Sequence, residues 1–498
     1  MSQAEIDRAV ALFNSGHTAE ALAITTPLAL ARETSHAALA AQSSMLKGLG
    51  RREEALAFDK RATLRFPQSG VAWHNLGATL DDLGRCEAAI AAIEDAFRLG
   101  LDDGATWSVY ARALMSTGQH NRAEAAYVEA RKRSMADARL TAEYANYVWM
   151  RRGDLNLAQA SIDTCFHAGG DPGTLVAARA KLLDAAGEPG KAADLLSAAA
   201  DRLPQDLTIQ LAAAFAAVER GRLDEAERRT AAAEAASPGH VKVLNQLAIL
   251  RLAQGRPDEA LVTAKLGLAK APDDQSLLGW AATAARLTGD PIHGELYDYD
   301  RLTGSYDIAT PRGWPSLEAY LADLTRSLDA LHVFQQHPSN QSLRHGAQTF
   351  QNLSGSSDKA IAAFFQAIAA PIGEHMQMLG KGPDPHRRRN TGRYLIEGAW
   401  SVRLRPGGFH QDHFHSRGWL SSAFYVETPE TALDREDRQG WLRFGQPPVA
   451  TVPPLLADHH VRPKPGRLVL FPSYMWHGTV PFTTDERRLT LAFDAIPG

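Results

Sequence analysis

Eight glycines recur in phase along the first 290 residues. Gly16, Gly50, Gly84, Gly118, Gly153, Gly187, Gly221 and Gly255 stand 34, 34, 34, 35, 34, 34 and 34 residues apart. Five residues after each comes an alanine: Ala21, Ala55, Ala89, Ala123, Ala158, Ala192, Ala226 and Ala260. Four intervals also hold a proline 17 residues past the glycine, at Pro67, Pro204, Pro238 and Pro272. The glycine supplies the backbone freedom a tight turn needs, and the alanine lets two helices come close. Proline ends the second helix because it has no N–H for the helical ladder. The chain is therefore predicted to begin as stacked pairs of antiparallel helices, each burying its apolar face against its neighbours.

The unit at 70–103 has the fullest form, with Trp73, Leu76, Gly77, Gly84, Ala89 and Ala96, and Trp107 and Tyr110 continue it in the next. Period and residues together resemble the tetratricopeptide repeat. The resemblance implies an all-α superhelix of eight repeats over roughly 2–274, with a capping helix at 275–290 over the last open face. It also implies a protein or peptide partner. The unit at 139–172 is a looser match.

Composition excludes several classes of function. At 498 residues the chain is too long for one ordinary core. Lys+Arg 53 against Asp+Glu 57 leaves a net charge of -4, which gives no basic field for general nucleic-acid binding. Two cysteines, Cys86 and Cys165, can build neither a disulfide framework nor a thiolate zinc cluster. No apolar run reaches membrane-spanning length, and the first residues lack the apolar core of a signal peptide. The expectation is a cytoplasmic protein that engages no membrane.

The pattern changes after Gly289. From 301 onward the chain holds 11 of its 18 His and 5 of its 9 Trp, and the helical period stops. Segments 316–332 and 358–379 each read as one amphipathic helix. From about Arg393 short strands follow, WSVRLRP, LSSAFYVE, WLRFG, RLVLFP and RRLTLAFDA, divided by Pro/Gly-bearing turns. Residues 291–498 are thus predicted to form a β-sandwich or barrel with a helical preface, and residues 1–290 the repeat domain. Arg387, Arg388 and Arg389 read as a solvated loop, and His459-His460 as a Pro-flanked surface loop.

The chemistry concentrates in RLRPGGFHQDHFHSRGWLSSAFYVE, 403–427. His410, Asp412, His413 and His415 lie within six residues; His477 and Arg488 come later. Two residues separated by one on a strand share a face, and a histidine from a distant strand can complete one side of a metal's coordination sphere. Two registers are open. His413 and His415 can face the metal with His477, giving three neutral imidazoles, or His410 and Asp412 can do so with His477. Imidazole and carboxylate ligands suit Fe(II) when positions stay open. Arg488 sits in an apolar strand, where a buried guanidinium needs an anion such as a dicarboxylate.

SLRHGAQT (342–349), RPGGFHQDHFHSRGWLSSAFYV (405–426), GRLVLFPSYMWHGTVPF (466–482) and RRLTLAF (487–493) resemble the bacterial and phage 2-oxoglutarate/Fe(II) oxygenases. That resemblance implies an α+β double-stranded β-helix, or jelly roll, after the repeats, and with it Fe(II), 2-oxoglutarate as co-substrate and O2. It implies that His413 and His477 ligate iron and that Arg488 binds the distal carboxylate of 2-oxoglutarate. Thr490, on the same strand face, assists, with Tyr425 as a further co-substrate contact. A His-x-His is usual in this subfamily and favours His413, His415 and His477. Most 2-oxoglutarate oxygenases instead carry His-x-Asp/Glu, and this departure motivates a second reading, an interaction scaffold with a catalytically inactive barrel. A third reading is a jelly-roll metalloenzyme that does not use 2-oxoglutarate. Arg344, Gln348 and Thr349 match the family without an assigned role, and Trp419, Trp441 and Trp476 read as core or pocket wall.

Overall fold

A computed structural model describes residues 3–498, which divide into two compact units, one up to Leu140 and one from Thr141 to Gly498. The first unit holds four helix pairs. They are α1 (Gln3–Asn14) with α2 (Thr18–Leu30), α3 (His36–Gly48) with α4 (Arg52–Arg65), α5 (Gly70–Asp82) with α6 (Cys86–Arg98), and α7 (Gly104–Ser116) with α8 (His120–Arg133). Helix α9 (Ala138–Arg152) contains the division, and α10 (Leu155–His167) follows. The second unit continues with α11 (Pro172–Ala185) and α12 (Pro189–Arg202), α13 (Leu207–Glu219) and α14 (Leu223–Ala236), then α15 (Val241–Ala253) and α16 (Pro257–Lys270). A last long helix, α17, spans Gln275–Thr288. This is tetratricopeptide architecture.

The local reasons are visible residue by residue. All eight phased glycines have φ between 63° and 88°, a region closed to most side chains. All eight phased alanines are buried. A second periodic signal accompanies them. The first helix of successive pairs is capped by Ser35, Ser69, Asp103, Asp137, Asp171, Asp206 or His240, and α17 by Asp274, each side chain accepting a backbone N–H of the first turn. Each Ser or Asp cap contributes about 1 kcal/mol by satisfying a donor the helix leaves orphaned.

Beyond α17 come α18 (Ile292–Leu296), α19 (Tyr299–Leu302), β1 (Gly304–Asp307), α20 (Leu317–Leu331) and β2 (Leu343–Gln348). The single helix expected over 358–379 is two, α21 (Lys359–Ala367) and α22 (Ala369–Leu379). Pro371 explains the break, because it cannot donate to the carbonyl of Ala367. Then follow β3 (Tyr394–His410), β4 (Leu420–Glu427), α23 (Glu430–Leu433), β5 (Leu442–Phe444), β6 (His459–Val461), β7 (Arg467–Pro472), β8 (His477–Thr479) and β9 (Arg488–Pro497).

The strands form two antiparallel sheets, a six-stranded one in the order β1-β7-β4-β9-β3-β2 and a three-stranded one, β6-β5-β8. Antiparallel strands with non-sequential neighbours in two sheets make a jelly roll. Its core is built by Phe424, Leu468, Leu470, Phe471, Leu489, Leu491 and Phe493, all buried, with Phe364 of α21 packed on Phe424 at 4.9 Å.

Helix α17 is more than a cap. A terminal repeat helix ordinarily keeps a polar outer face. Here Leu277, Leu278, Gly279, Trp280, Ala281, Ala282, Thr283, Ala284 and Ala285 are all buried. One side rests on α16, and the other is covered by the turn between β7 and β8. Trp476 donates to Thr283 Oγ1 at 2.9 Å and packs on Trp280, ring centroids 4.5 Å apart. A Cβ on Gly279 would stand 3.1 Å from both the Trp476 ring and the Tyr474 carbonyl. The run LLGWAATAA, apolar all round, is the sequence form of a helix buried on both sides. Among the described residues no helix is long and apolar enough to cross a membrane.

Candidate metal and co-substrate site

Strand β3 ends at His410, and the next nine residues leave the sheet before β4 begins at Leu420. His413 and His415 therefore do not share a face as residues of one strand, and strand alternation does not separate them from His410 and Asp412. The loop is pinned by its backbone instead. His413 and His477 exchange both backbone hydrogen bonds at 2.9 Å, and His415 N–H donates to the Ser473 carbonyl at 2.9 Å. These bonds bring two loop imidazoles against the first residue of β8.

The three rings converge. His413, His415 and His477 each offer a ring nitrogen, all within 4.8 Å of one another, a group that can hold a metal ion. Every Nδ1 has an acceptor: Gln411 O for His413 at 2.8 Å, Met475 O for His477 at 2.9 Å, and Asp494 Oδ1 for His415 at 2.6 Å. A neutral imidazole whose Nδ1 carries the donated proton presents its Nε2 lone pair, the tautomer that metal ligation requires. His413 Nε2 and His415 Nε2 are 3.2 Å apart. Two nitrogens about 2.1 Å from one metal, at angles between octahedral and tetrahedral, are separated by about 3.0–3.4 Å. Burial, reinforced by neighbouring imidazoles, pushes His413 down to about 3 and His477 well below its ordinary value, so both rings stay unprotonated.

The members of the other register are placed differently. Asp412 is held by Arg443 through two bonds, Nε to Oδ1 at 2.9 Å and NH2 to Oδ2 at 2.6 Å, and lies against Gly478. Burial raises its carboxyl, and Arg443 opposes that rise. His410 lines the same cavity as the three-histidine group, its ring stacked 5.7 Å from His413, with Nδ1 3.1 Å from Ser342 Oγ.

Arg488, 2% exposed, lines the same cavity. It makes one long bond, NH1 to Thr479 Oγ1 at 3.3 Å, and its Nε is buried without a partner. Its guanidinium lies 5.1 Å over the ring of Tyr425, whose buried hydroxyl is likewise unpartnered. Thr490, two residues along the strand, also lines the cavity. An enclosed cation with an orphaned donor is costly unless an anion meets it, so this end suits a carboxylate.

The remaining candidates divide between wall and scaffold. Gln348 lines the cavity; Thr349 accepts the Ser401 N–H at 2.9 Å, and Arg344 pairs with Asp184 of α11 at 2.7 Å. Trp419 and Trp476 are buried, and Trp441 donates to the Leu433 carbonyl at 3.0 Å. His459 and His460 belong to strand β6 rather than a loop; His459 stacks on Tyr299, centroids 4.4 Å apart. Arg387 and Arg388 are ion-paired with Asp384 and Asp273 rather than free. Asp494 and Ser421 escaped the sequence reading. A carboxylate six residues after Arg488, on the same face of an otherwise apolar strand, was the signal for the first.

The cavity opens outward. A space of about 700 Å³ is lined by α11, α12 and α13 on one side and by Arg344, His345 and Phe409 on the other. A second, of about 680 Å³, shares Lys181, Asp184, Phe215 and Glu219 with it and extends to His413 and His415. Burial and the neighbouring Asp184 push Glu219 up to about 7.

Fold and site together define a tetratricopeptide repeat chain that ends in a jelly roll carrying a three-histidine cluster. Residues 398–494 match the family described as "Putative 2OG-Fe(II) oxygenase", and residues 71–99 match the tetratricopeptide repeat, so the chain carries a domain of each kind. No protein with a curated description matches it. Among solved structures it is similar to the APC/C hetero-tetramer Cut9-Hcn1, at 16% identity over 56% of this chain and 54% of that one, TM-score 0.33. It thus spans about half the length of that chain. A tetratricopeptide repeat protein from Parabacteroides merdae is 14% identical over 51% of this chain and 98% of its own, TM-score 0.35. YrrB, a tetratricopeptide repeat protein with an unusual peptide-binding site, is 21% identical over 38% and 96%, TM-score 0.27.

Proposed function

We propose that this protein is a non-haem Fe(II), 2-oxoglutarate-dependent dioxygenase that hydroxylates a polypeptide presented by the repeats. One observation carries the reading. Three imidazoles, each anchored through Nδ1, share a cavity with a buried guanidinium that has no anion of its own. In this reading His413, His415 and His477 hold the metal through Nε2. Arg488 pairs with the distal carboxylate of 2-oxoglutarate, and Tyr425 and Thr490 stand beside it as hydroxyl donors. Bound Fe(II) supplies the activation of O2 that couples decarboxylation of 2-oxoglutarate, to succinate and CO2, to hydroxylation of a C–H bond. Leu442, Val402 and Phe471 in the cavity wall exclude water from that chemistry.

The substrate class follows from the approach. The outer spaces are lined by the repeat helices α11–α13 and run from them to the histidines, which supports an extended polypeptide held by the repeats as prime substrate. Residues 1–290 then serve as the holding domain and 291–498 as the oxygenase. Protein incubated with Fe(II), ascorbate and 2-oxoglutarate should release succinate, and His477→Ala and Arg488→Ala should each abolish the release.

The absence of a carboxylate from the ligand group favours a second reading, a repeat scaffold whose barrel does not turn over. No succinate, and no charge-transfer band on anaerobic addition of Fe(II) and 2-oxoglutarate, would establish it. Metal-dependent activity indifferent to Arg488→Ala would point to a different co-substrate.

A further inference from the structure

We infer that Asp494 is a positioning residue. It supplies, one hydrogen bond out from the metal, the negative charge that the ligand group lacks. The inference rests on the proposed metal site. Two of the three ligand imidazoles donate Nδ1–H to neutral backbone carbonyls, Gln411 and Met475. Only His415 has a carboxylate behind it, Asp494 Oδ1 at 2.6 Å. The nearby alternative anion, Asp412, is neutralised by the two-pronged grip of Arg443.

Asp494 is built into position rather than resting there. It lies on β9 directly opposite Ser421 of β4. Ser421 Oγ donates to the same Oδ1 at 2.7 Å and is itself 2.8 Å from Ser473 Oγ. The ligand loop passes close by: a Cβ on Gly418 would collide with Ser473 Oγ and stand 3.4 Å from Asp494 Cγ. The carboxylate is therefore aimed by a strand pair and has little room to turn away from His415.

A carboxylate accepting Nδ1–H fixes the tautomer, orients the ring and raises the basicity of Nε2, and losing such a partner costs about 10- to 100-fold in metal affinity. A carboxylate that merely tied β9 to the loop would do so equally well as an amide. Asp494→Asn separates the two roles. Its Oδ1 can still accept from His415 and Ser421, while the charge is gone.

The test uses the full-length protein, without oxygen, titrated with Co(II) and followed by the visible bands of the bound ion. Wild type should bind one Co(II) in a manner lost in His477→Ala. Asp494→Asn should bind about 10- to 100-fold more weakly. Asp494→Glu, which restores the charge, should bind more tightly than Asp494→Asn. Equal affinity of wild type and Asp494→Asn overturns the inference while leaving the metal site standing. Absence of His477-dependent binding in wild type removes both. Should Asp494→Asn not fold, Asp494→Gln compared with Asp494→Glu takes its place, because the two side chains share a length and differ in charge. A several-fold lower Co(II) affinity in Asp494→Gln than in Asp494→Glu supports the inference, and equal affinity overturns it.

Discussion

Replacing Arg488 with Met should move two properties in opposite directions. The guanidinium is 2% exposed, faces no carboxylate, and leaves Nε unpartnered. Its compensation is one bond of 3.3 Å to Thr479 and a position 5.1 Å over Tyr425. These contribute about 1 kcal/mol each. The desolvation of the cation costs several kcal/mol, and replacing buried charge with an apolar side chain of similar volume is often stabilising by about 1–4 kcal/mol. The protein without 2-oxoglutarate should therefore gain about 1–3 kcal/mol in Arg488→Met. Binding of 2-oxoglutarate should lose the charge pair, about 3–5 kcal/mol, which is about 150- to 4000-fold in Kd. Thermal melting with Mn(II), with and without 2-oxoglutarate, reads both. Wild type should be stabilised by about 2.7 kcal/mol when ligand is present at 100 times its Kd, and the variant should not respond at that concentration. A variant that melts lower than wild type yet still responds to 2-oxoglutarate would refute the argument, because Arg488 would then be a structural cation.

Three further outcomes follow from the geometry. His413→Ala should abolish Co(II) binding, whereas Asp412→Ala should leave most of it and cost about 2–4 kcal/mol in urea unfolding, since it strands the partly buried Arg443; the reverse pattern would restore Asp412 as a ligand. His386, stacked on Trp419, is pushed down to about 3 by burial. Its contribution is complete above the ordinary value of 6.5 and declines as pH falls from there towards 3, by about 1.4 kcal/mol per pH unit, because the unfolded chain takes up the proton first. Between pH 7 and pH 5 wild type should lose about 2 kcal/mol more than His386→Phe in urea titrations, and parallel losses would contradict this. Gly279→Val should lower the melting temperature of the full chain by overpacking α17 against Trp476 and the Tyr474 carbonyl, at a cost of about 1–3 kcal/mol; an unshifted melt would mean that this contact yields freely.

How much of this was legible depends on the range of the signal. The repeats were readable because each device acts within a few residues: Gly84 needs a left-handed φ whatever surrounds it, and Ala89 meets its partner helix one turn away. The phased caps Ser35, Ser69 and Asp103 were equally local and passed unread beside the glycines. The strands of the barrel were legible by alternation, and Arg488 stood out as a cation in an apolar run. The break at Ile368 was available from Pro371.

The ligand group was a different problem. From composition and order alone, His410, Asp412, His413 and His415 offer two sets, and strand alternation cannot choose because residues 411–419 leave the sheet. Only tertiary structure decided which side chains meet. The His413–His477 backbone pair draws two imidazoles to β8, Arg443 withdraws Asp412, and the β4–β9 register sets Asp494 behind His415 from 79 positions away. Period and propensity are properties of short segments of backbone and are written in neighbouring residues. Convergence of distant side chains is a property of strand order and packing, and no local stretch of chain carries it.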